Sequence, residues 1–487
     1  MADNEMAQAG GAPHVVVVGG GVAGLAAAFF LRDKPVRVTV LEGASRLGGQ
    51  LAVSELAGVV VDEGAESMYA RRPKTARLLK AAGLEDRVVA AGTKSMAIWT
   101  RDQIRPQPDR QFMGVPSDMD ELAKSGILSD SGVARAREDL TLPRAERGGD
   151  VSVAAYVGGR LGREVVDRLV DPFLSDAYFG RADELSFEAT LTPLAAASRR
   201  HTSLAEAAGA MIPAPLPPGQ EPTTGISTLT LGLGSLPQVL VDGLLAASPD
   251  SVVRTGTTVR ELARREHGWR VTVGIAAEPE HIDADAVIVA VPAARAGRLL
   301  AGAPGSARAT AALAEIPYAG SVVITLAYPR EALAGMRALG HSGYRVPAVD
   351  GRALKVVTFS TMKWPHLAGE VDIVRCQAGG SGGEDLLERD DADLVALAAS
   401  EAAEATGVTG GPLASRVSRW NDAVPQYTVG HLDRVARIRA AVETQPGLAV
   451  CGAAYDGVGV GQCVASALKA VEQVLGELRK NASAPSA

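Results

Sequence analysis

Residues Val15 to Gly24 read VVVVGGGVAG. Four consecutive valines predict a strand buried on both faces, as in a parallel sheet. Gly19, Gly21 and Gly24 follow at G-x-G-x-x-G spacing, and apolar residues run on to Leu31 as a helix suited to packing on that sheet. Val36 to Leu41 (VRVTVL) reads as a second strand and is followed by Glu42. This is the βαβ unit that binds a dinucleotide. The first glycine makes the tight turn, the second lets backbone approach a pyrophosphate, and the third lets helix and strand pack closely. The helix N-terminus, around Gly20, Val22 and Ala23, offers free N–H groups to phosphates. Glu42, about 20 residues on, is placed to bond a ribose hydroxyl. A merely structural turn is the alternative, and the flanking strands and closing acid weigh against it.

Outward from this unit, Gly43 to Gln50 reads GASRLGGQ. Arg46 can neutralise a pyrophosphate and Gly48-Gly49 keeps backbone near a ligand; a solvated arginine in a loop is the alternative. Val59 to Ser67 (VVVDEGAES) is a strand entering a glycine turn, Gly64-Ala65-Glu66-Ser67. Such a turn can lay main chain against a planar ring, or be an ordinary turn. Near the other end, Leu448 to Leu475 is a strand ending at Gly452, a turn at Gly457-Val458-Gly459, and an apolar-faced helix from Val460. A second helix N-terminus suits a long cofactor held at both ends, FAD rather than a mobile nicotinamide.

The chain therefore opens and closes on cofactor elements. The expected fold is α/β: a discontinuous Rossmann-like FAD-binding domain, a mixed-sheet substrate domain and an inserted helical domain. The expected divisions are a tail at 1–13, FAD-binding parts at 14–89, 225–300 and 416–480, a helical insertion at 90–215, a substrate-binding sheet at 301–415 and a tail at 481–487. Helices are expected at 73–84, 118–124, 131–138 and 151–169, with another opened by the 232–237 stretch and running to about 247, and a proline-rich loop at 212–224. Strands are expected at 252–262, 269–273, 285–292, 322–327, 354–360 and 371–377.

A net charge of −7 without long runs of one sign argues against nucleic acid as a partner. Three cysteines, Cys376, Cys451 and Cys463, are an odd, sparse count that fits a reducing compartment, hence the cytoplasm. Scattered histidines predict no metal. No stretch reaches the ~18 apolar residues of a membrane span, which leaves only peripheral membrane contact open.

Further stretches carry a resemblance. They are Gly64-Ala65-Glu66-Ser67 with Arg71-Arg72-Pro73, Gly114-Val115-Pro116-Ser117-Asp118, Pro172-Phe173-Leu174-Ser175, Ser342 to Pro347 (SGYRVP) and Lys363-Trp364-Pro365-His366. Trp420, Pro425-Gln426-Tyr427 and Gly430-His431 follow, then the closing GVGVGQC. Over residues 14–476 the chain resembles the flavin monoamine oxidase superfamily and, within it, the bacterial protoporphyrinogen/coproporphyrinogen oxidases of haem synthesis. That resemblance implies non-covalent FAD, a porphyrinogen substrate (coproporphyrinogen III in the leading reading), O2 as acceptor with H2O2 released, and transient contact with the next haem-pathway enzyme.

By residue, the resemblance implies that Gly19 to Gly24 form the pyrophosphate loop and that Glu42 with Gly43 holds the ribose. Gln50 touches the cofactor, Gly64 to Ser67 lie under the flavin ring, and Val259 lies in the strand near the adenine. Trp420, Gly452, Val458, Gly459 and Val460 close on the flavin. No catalytic residue is assigned, because aromatisation drives proton loss without a strong base. Arg345 and Lys363 are candidates for pairing with propionates, against the alternative of solvated cations. Tyr178 is a cavity or a core aromatic, His431 a structural histidine, and Cys463 a packing residue rather than an activated thiol. Asp176, Gly380, Arg345 and Gly461-Gln462 depart from the family's pattern. Three alternatives remain open: a protoporphyrinogen IX oxidase, an amine oxidase-type flavoenzyme, and a flavin-containing porphyrin carrier without turnover.

Overall fold

In the computed structural model, residues 11–93, 95–144, 148–213 and 225–483 are described. The valine run forms strand His14–Val18 at the centre of a five-stranded sheet. Its neighbours are Arg37–Leu41 and Ala286–Val289, with Val252–Arg254 and Leu448–Val450 outside them, all parallel. Helices Val22–Leu31, Leu236–Ala247 and Val460–Ser483 cover one face, where Val15 and Val17 point. Helices Ala293–Leu300, Ala307–Ala314 and His431–Glu443 cover the other, with Val16 and Val18. Both faces are buried, which is why the run is continuously apolar rather than alternating.

A seven-stranded sheet stands apart. Its order is Ala414–Pro425, Tyr318–Pro329, Val371–Gly379, Leu354–Phe359, Gly343–Arg345, Met96–Thr100 and Gln103–Pro106. Only the pairing of 343–345 with 96–100 is parallel. Tyr344, Val357, Phe359, Val374 and Cys376 point to one core. The opposite face carries Arg345, Thr358, Arg375 and Gln377. The helical layer between about 115 and 208 has its own core, closed by Ile98 and Tyr427.

Several expectations need correction. Residues 96–106, assigned to the helical insertion, are a hairpin of the sheet. Its turn residues Arg101 and Asp102 both take positive φ, 52° and 57°; this primed turn lacks the Asn-Gly or Asp-Gly signature that marks one in sequence. The 415/416 division cuts strand Ala414–Pro425, so Trp420 comes from the sheet. The strand expected over 252–262 is two strands in two sheets, broken at Gly256 (φ 61°), with Val259–Arg264 pairing antiparallel to Trp269–Ile275. The helix over 151–169 ends at Leu161, because Gly162 turns at φ 90°. The last helix continues through Ser483, beyond the expected boundary at 480. Residues 1–10, 214–224 and 484–487 of the expected tails and loop lie outside the described residues. Among the described residues no helix is long and apolar enough to cross a membrane.

Candidate cofactor and substrate site

The opening glycines each answer to a specific crowding. Gly19 has φ 111°, and a Cβ there would stand 2.5 Å from the Ala290 carbonyl oxygen. A Cβ on Gly24 would stand 1.9 Å from the Gly19 carbonyl oxygen. Around Gly21, by contrast, added carbon would meet nothing within 4 Å. That opening lies at the N-terminus of helix Val22–Leu31, which no side chain caps. Glu42 sits at its base, accepting from the Gly20 and Ala44 amides at 2.7 Å each.

The other elements gather around this notch. Gly48 pairs with Gly21 as an isolated parallel bridge, and a Cβ on Gly49 would lie 3.3 Å from the Gly21 Cα. Gly43 faces Thr258, which places Val259 next in line. The Ala65 amide donates to the Gln50 carbonyl at 3.1 Å, and the Gln50 side chain donates to the Ala423 carbonyl. Gly64 has no room for a side chain against Gln50 and the Trp420 ring. Trp420 Nε1 donates to the Glu63 carbonyl at 2.9 Å. From the C-terminal end, a Cβ on Gly452 would come 3.9 Å from the Ala23 side chain. Val460 shares the core of Ala23, Leu51 and Cys463, while Val458 packs against the helical layer. Arg46 donates to the Leu47 and Gly49 carbonyls and lies 5.4 Å over Trp420.

These residues fit FAD. The open space at Gly21, the uncapped helix start, the carboxylate at the strand end and the indole beside Gly64 are the features a dinucleotide carrying a planar ring needs. Ser67 lies at the end of the Gly64 turn, and no hydrogen bond of its own distinguishes it among the described contacts.

The candidate substrate residues are otherwise engaged. Tyr178 is buried, with its hydroxyl 3.4 Å from the Thr190 carbonyl oxygen; burial pushes that hydroxyl up to about 12. Lys363 is 2.5 Å from Glu66 Oε1, with both side chains largely buried. The Glu66 carboxylate is thus committed to Lys363. Arg345 pairs with Asp176. The departure at Gly380 has a steric cause: φ is 78°, and a Cβ would lie 2.6 Å from the Phe179 carbonyl oxygen. Cys463 is buried, which pushes its thiol up to about 12, the opposite of activation. His431 is buried and stacked on Tyr427, ring centroids 3.8 Å apart; burial, then Arg434, pushes it down to about 4.

Sequence reading gave no role to four residues. Tyr427 donates to the Ala453 carbonyl and accepts from the Gly457 amide at 2.8 Å, pinning the short helix Ala453–Asp456 and the start of the closing glycine turn. Gln426, beside it, reaches the Tyr178 carbonyl at 2.7 Å, so the Pro-Gln-Tyr stretch ties sheet, helical layer and closing turn together. Arg375 Nη2 donates to the Gly64 carbonyl. Asp62 accepts from the Leu233 and Gly234 amides at 3.0 and 2.9 Å. An acid closing an apolar strand was the available signal for Asp62; for Arg375, inside another strand, there was none.

The family model described as flavin containing amine oxidoreductase matches residues 22–475. A coproporphyrinogen III oxidase of Mycobacterium tuberculosis is 37% identical over 467 residues, 94% of this chain and 96% of that protein. The chloroplastic protoporphyrinogen oxidase of Nicotiana tabacum is 25% identical, covering 96% of this chain and 86% of that one. A solved structure of a candidate protoporphyrinogen oxidase from Exiguobacterium sp. 255-15 matches with a TM-score of 0.82 at 28% identity, covering 96% and 99% of the two chains.

Proposed function

The chain belongs to the flavin-containing amine oxidoreductases and is a flavoprotein, and from that premise we propose that it oxidises coproporphyrinogen III to coproporphyrin III with non-covalent FAD and O2. The observation that carries this reading is the end-to-end likeness to the mycobacterial coproporphyrinogen III oxidase. FAD, when bound, would supply the electron-accepting chemistry that links the macrocycle to O2, six electrons in all per porphyrin.

The chain's own residues hold and orient. The free amides of Val22 to Gly24 and those at the start of helix Val460–Ser483 face the pyrophosphate. Glu42 accepts the ribose hydroxyls, with Gly43 and Val259 beside the adenosine end. Arg46 turns from the loop carbonyls towards phosphate. Gly64, Ala65, Trp420 and Val458 to Val460 bound the flavin ring, with Gln50 and Gly452 behind them. The sheet face bearing Arg345, Thr358 and Gln377 and the helical layer around Tyr178 enclose the macrocycle and exclude water. Arg345 meets a propionate at the edge, with Asp176 holding the guanidinium in place; Lys363 serves Glu66 rather than substrate.

Anaerobic mixing with coproporphyrinogen III tests this. The flavin absorbance bleaches in an enzyme; a flavin-containing carrier stays yellow, and that result would sink the proposal.

A further inference from the structure

A cavity of about 20 Å³ lies behind the Gly64 turn, lined by Asp62, Glu66, Thr228, Trp364, Arg375 and, at its outer rim, the exposed His366. Two buried polar atoms on this lining, Arg375 Nε and Thr228 Oγ1, have no hydrogen-bond partner among the described residues. A cavity above ~10–15 Å³ with two to four polar partners is one that holds a water. The same Arg375 guanidinium carries the Gly64 carbonyl on Nη2. One side chain therefore joins the turn to the cavity.

Two acids and two bases surround it. Glu66 and Lys363 pair at 2.5 Å. Arg375 is left with Asp62, whose two oxygens are both taken by the Leu233 and Gly234 amides. Burial pushes the Asp62 carboxyl up to about 7 against those two amides; Glu66 raises it further and Arg375 opposes. A proton on Asp62 needs an acceptor, and with both amides donating, the cavity water is the group placed to be one.

We infer that the cavity holds an ordered water bridging Arg375 Nε, Thr228 Oγ1 and Asp62, and that Asp62 with this water is a proton-holding site coupled through Arg375 and the Gly64 turn to the charge of the flavin. The inference rests on the assignment of the Gly64 turn to the flavin. Loss of a hydride, a hydrogen with the bonding electron pair, from a substrate C–H bond would leave the flavin with one added negative charge, and the oxidised macrocycle would release one proton to solvent. One proton enters Asp62 from solvent by way of the rim at His366. When O2 takes the hydrogen and the two electrons, an equivalent proton is released to complete H2O2. The groups facing Asp62 from the packed elements are Glu66, Lys363 through Glu66, Arg375 and His366, with the amides of the 233–235 turn.

The test is an infrared difference spectrum of the holoenzyme, oxidised against photoreduced, near pH 7 in H2O and D2O. A protonated-carboxyl band gained on reduction, shifted in D2O and lost in Asp62→Asn, is the expected result. No such band, or one that survives Asp62→Asn, overturns the inference. If Asp62→Asn fails to fold, Thr228→Val removes one water partner: the band then shifts in frequency, and an unmoved band overturns the water bridge. Because light supplies the electrons, a negative result here is distinct from failure to oxidise a porphyrinogen.

Discussion

Arg345 and Asp176 meet across the boundary between sheet and helical layer, Nε and Nη2 lying 2.8 and 2.7 Å from one Asp176 oxygen. Sequence reading set each apart as unexpected at its position, and the structure makes the two one feature. The guanidinium also lies 5.1 Å over the Phe173 ring. Asp176→Ala and Arg345→Ala should each cost about 1–3 kcal/mol, and the double variant about 1 kcal/mol less than their sum, because each single change strands a partly buried charge. Denaturant titration of the four proteins measures this; additive costs would show that the pair is uncoupled.

Gly380 is required by its backbone and by the Phe179 carbonyl, not by chemistry. Gly380→Ala should lower stability by at least ~1 kcal/mol from the positive φ, with the close contact adding to it. Thermal melts with flavin bound check it, and an unchanged midpoint would refute the steric account.

Lys363 neutralises Glu66. Burial alone would raise the Glu66 carboxyl, but Lys363 and Arg375 together hold it below its ordinary range. Lys363→Met should cost ~3–5 kcal/mol, and Lys363→Met with Glu66→Leu should recover most of it. A carboxyl depressed in the folded state lends stability that is full above the usual Glu range and lost as pH falls through the depressed value. The Lys363→Met penalty should therefore shrink in acid, as urea midpoints across pH will record.

Glu42 supports both the glycine loop and the ribose. Glu42→Ala should weaken FAD binding ~10–100-fold, the loss of one or two charge-assisted hydrogen bonds. Fluorescence titration of the apoprotein with FAD measures it. Acid precipitation should leave a colourless pellet and a yellow supernatant; a yellow pellet would mean a covalent flavin.

Tyr427 pins the closing turn through its hydroxyl. Tyr427→Phe should destabilise the protein by ~1–3 kcal/mol by leaving the Ala453 carbonyl and Gly457 amide without their partner, and should speed FAD loss. Stopped-flow mixing with an excess of an FAD-binding apoprotein as scavenger reads the release rate, and an unaltered rate would show that the turn holds without it.

The nucleotide-binding half was legible because local signals carry it. A valine run, three glycines at fixed spacing and a terminal acid depend on backbone sterics, and Gly19, Gly24 and Glu42 sit where those sterics require. The seven-stranded sheet was half legible: its long apolar strands stood out, but the 96–106 hairpin turns on Arg101-Asp102 and carries no turn signature. The polar contacts were least legible. Glu66 meets Lys363, and Asp176 meets Arg345, across separations of 297 and 169 residues. No local pattern announces such pairs, and a cation that looks free for a propionate can already be committed, as Lys363 is to Glu66.

The most direct test of the central claim is an aerobic assay of porphyrin fluorescence with coproporphyrinogen III and protoporphyrinogen IX side by side, with H2O2 measured. Coproporphyrin III should form faster, with three H2O2 per porphyrin as six electrons pass in pairs to O2. Formation of protoporphyrin alone, or of porphyrin without H2O2, would contradict the account.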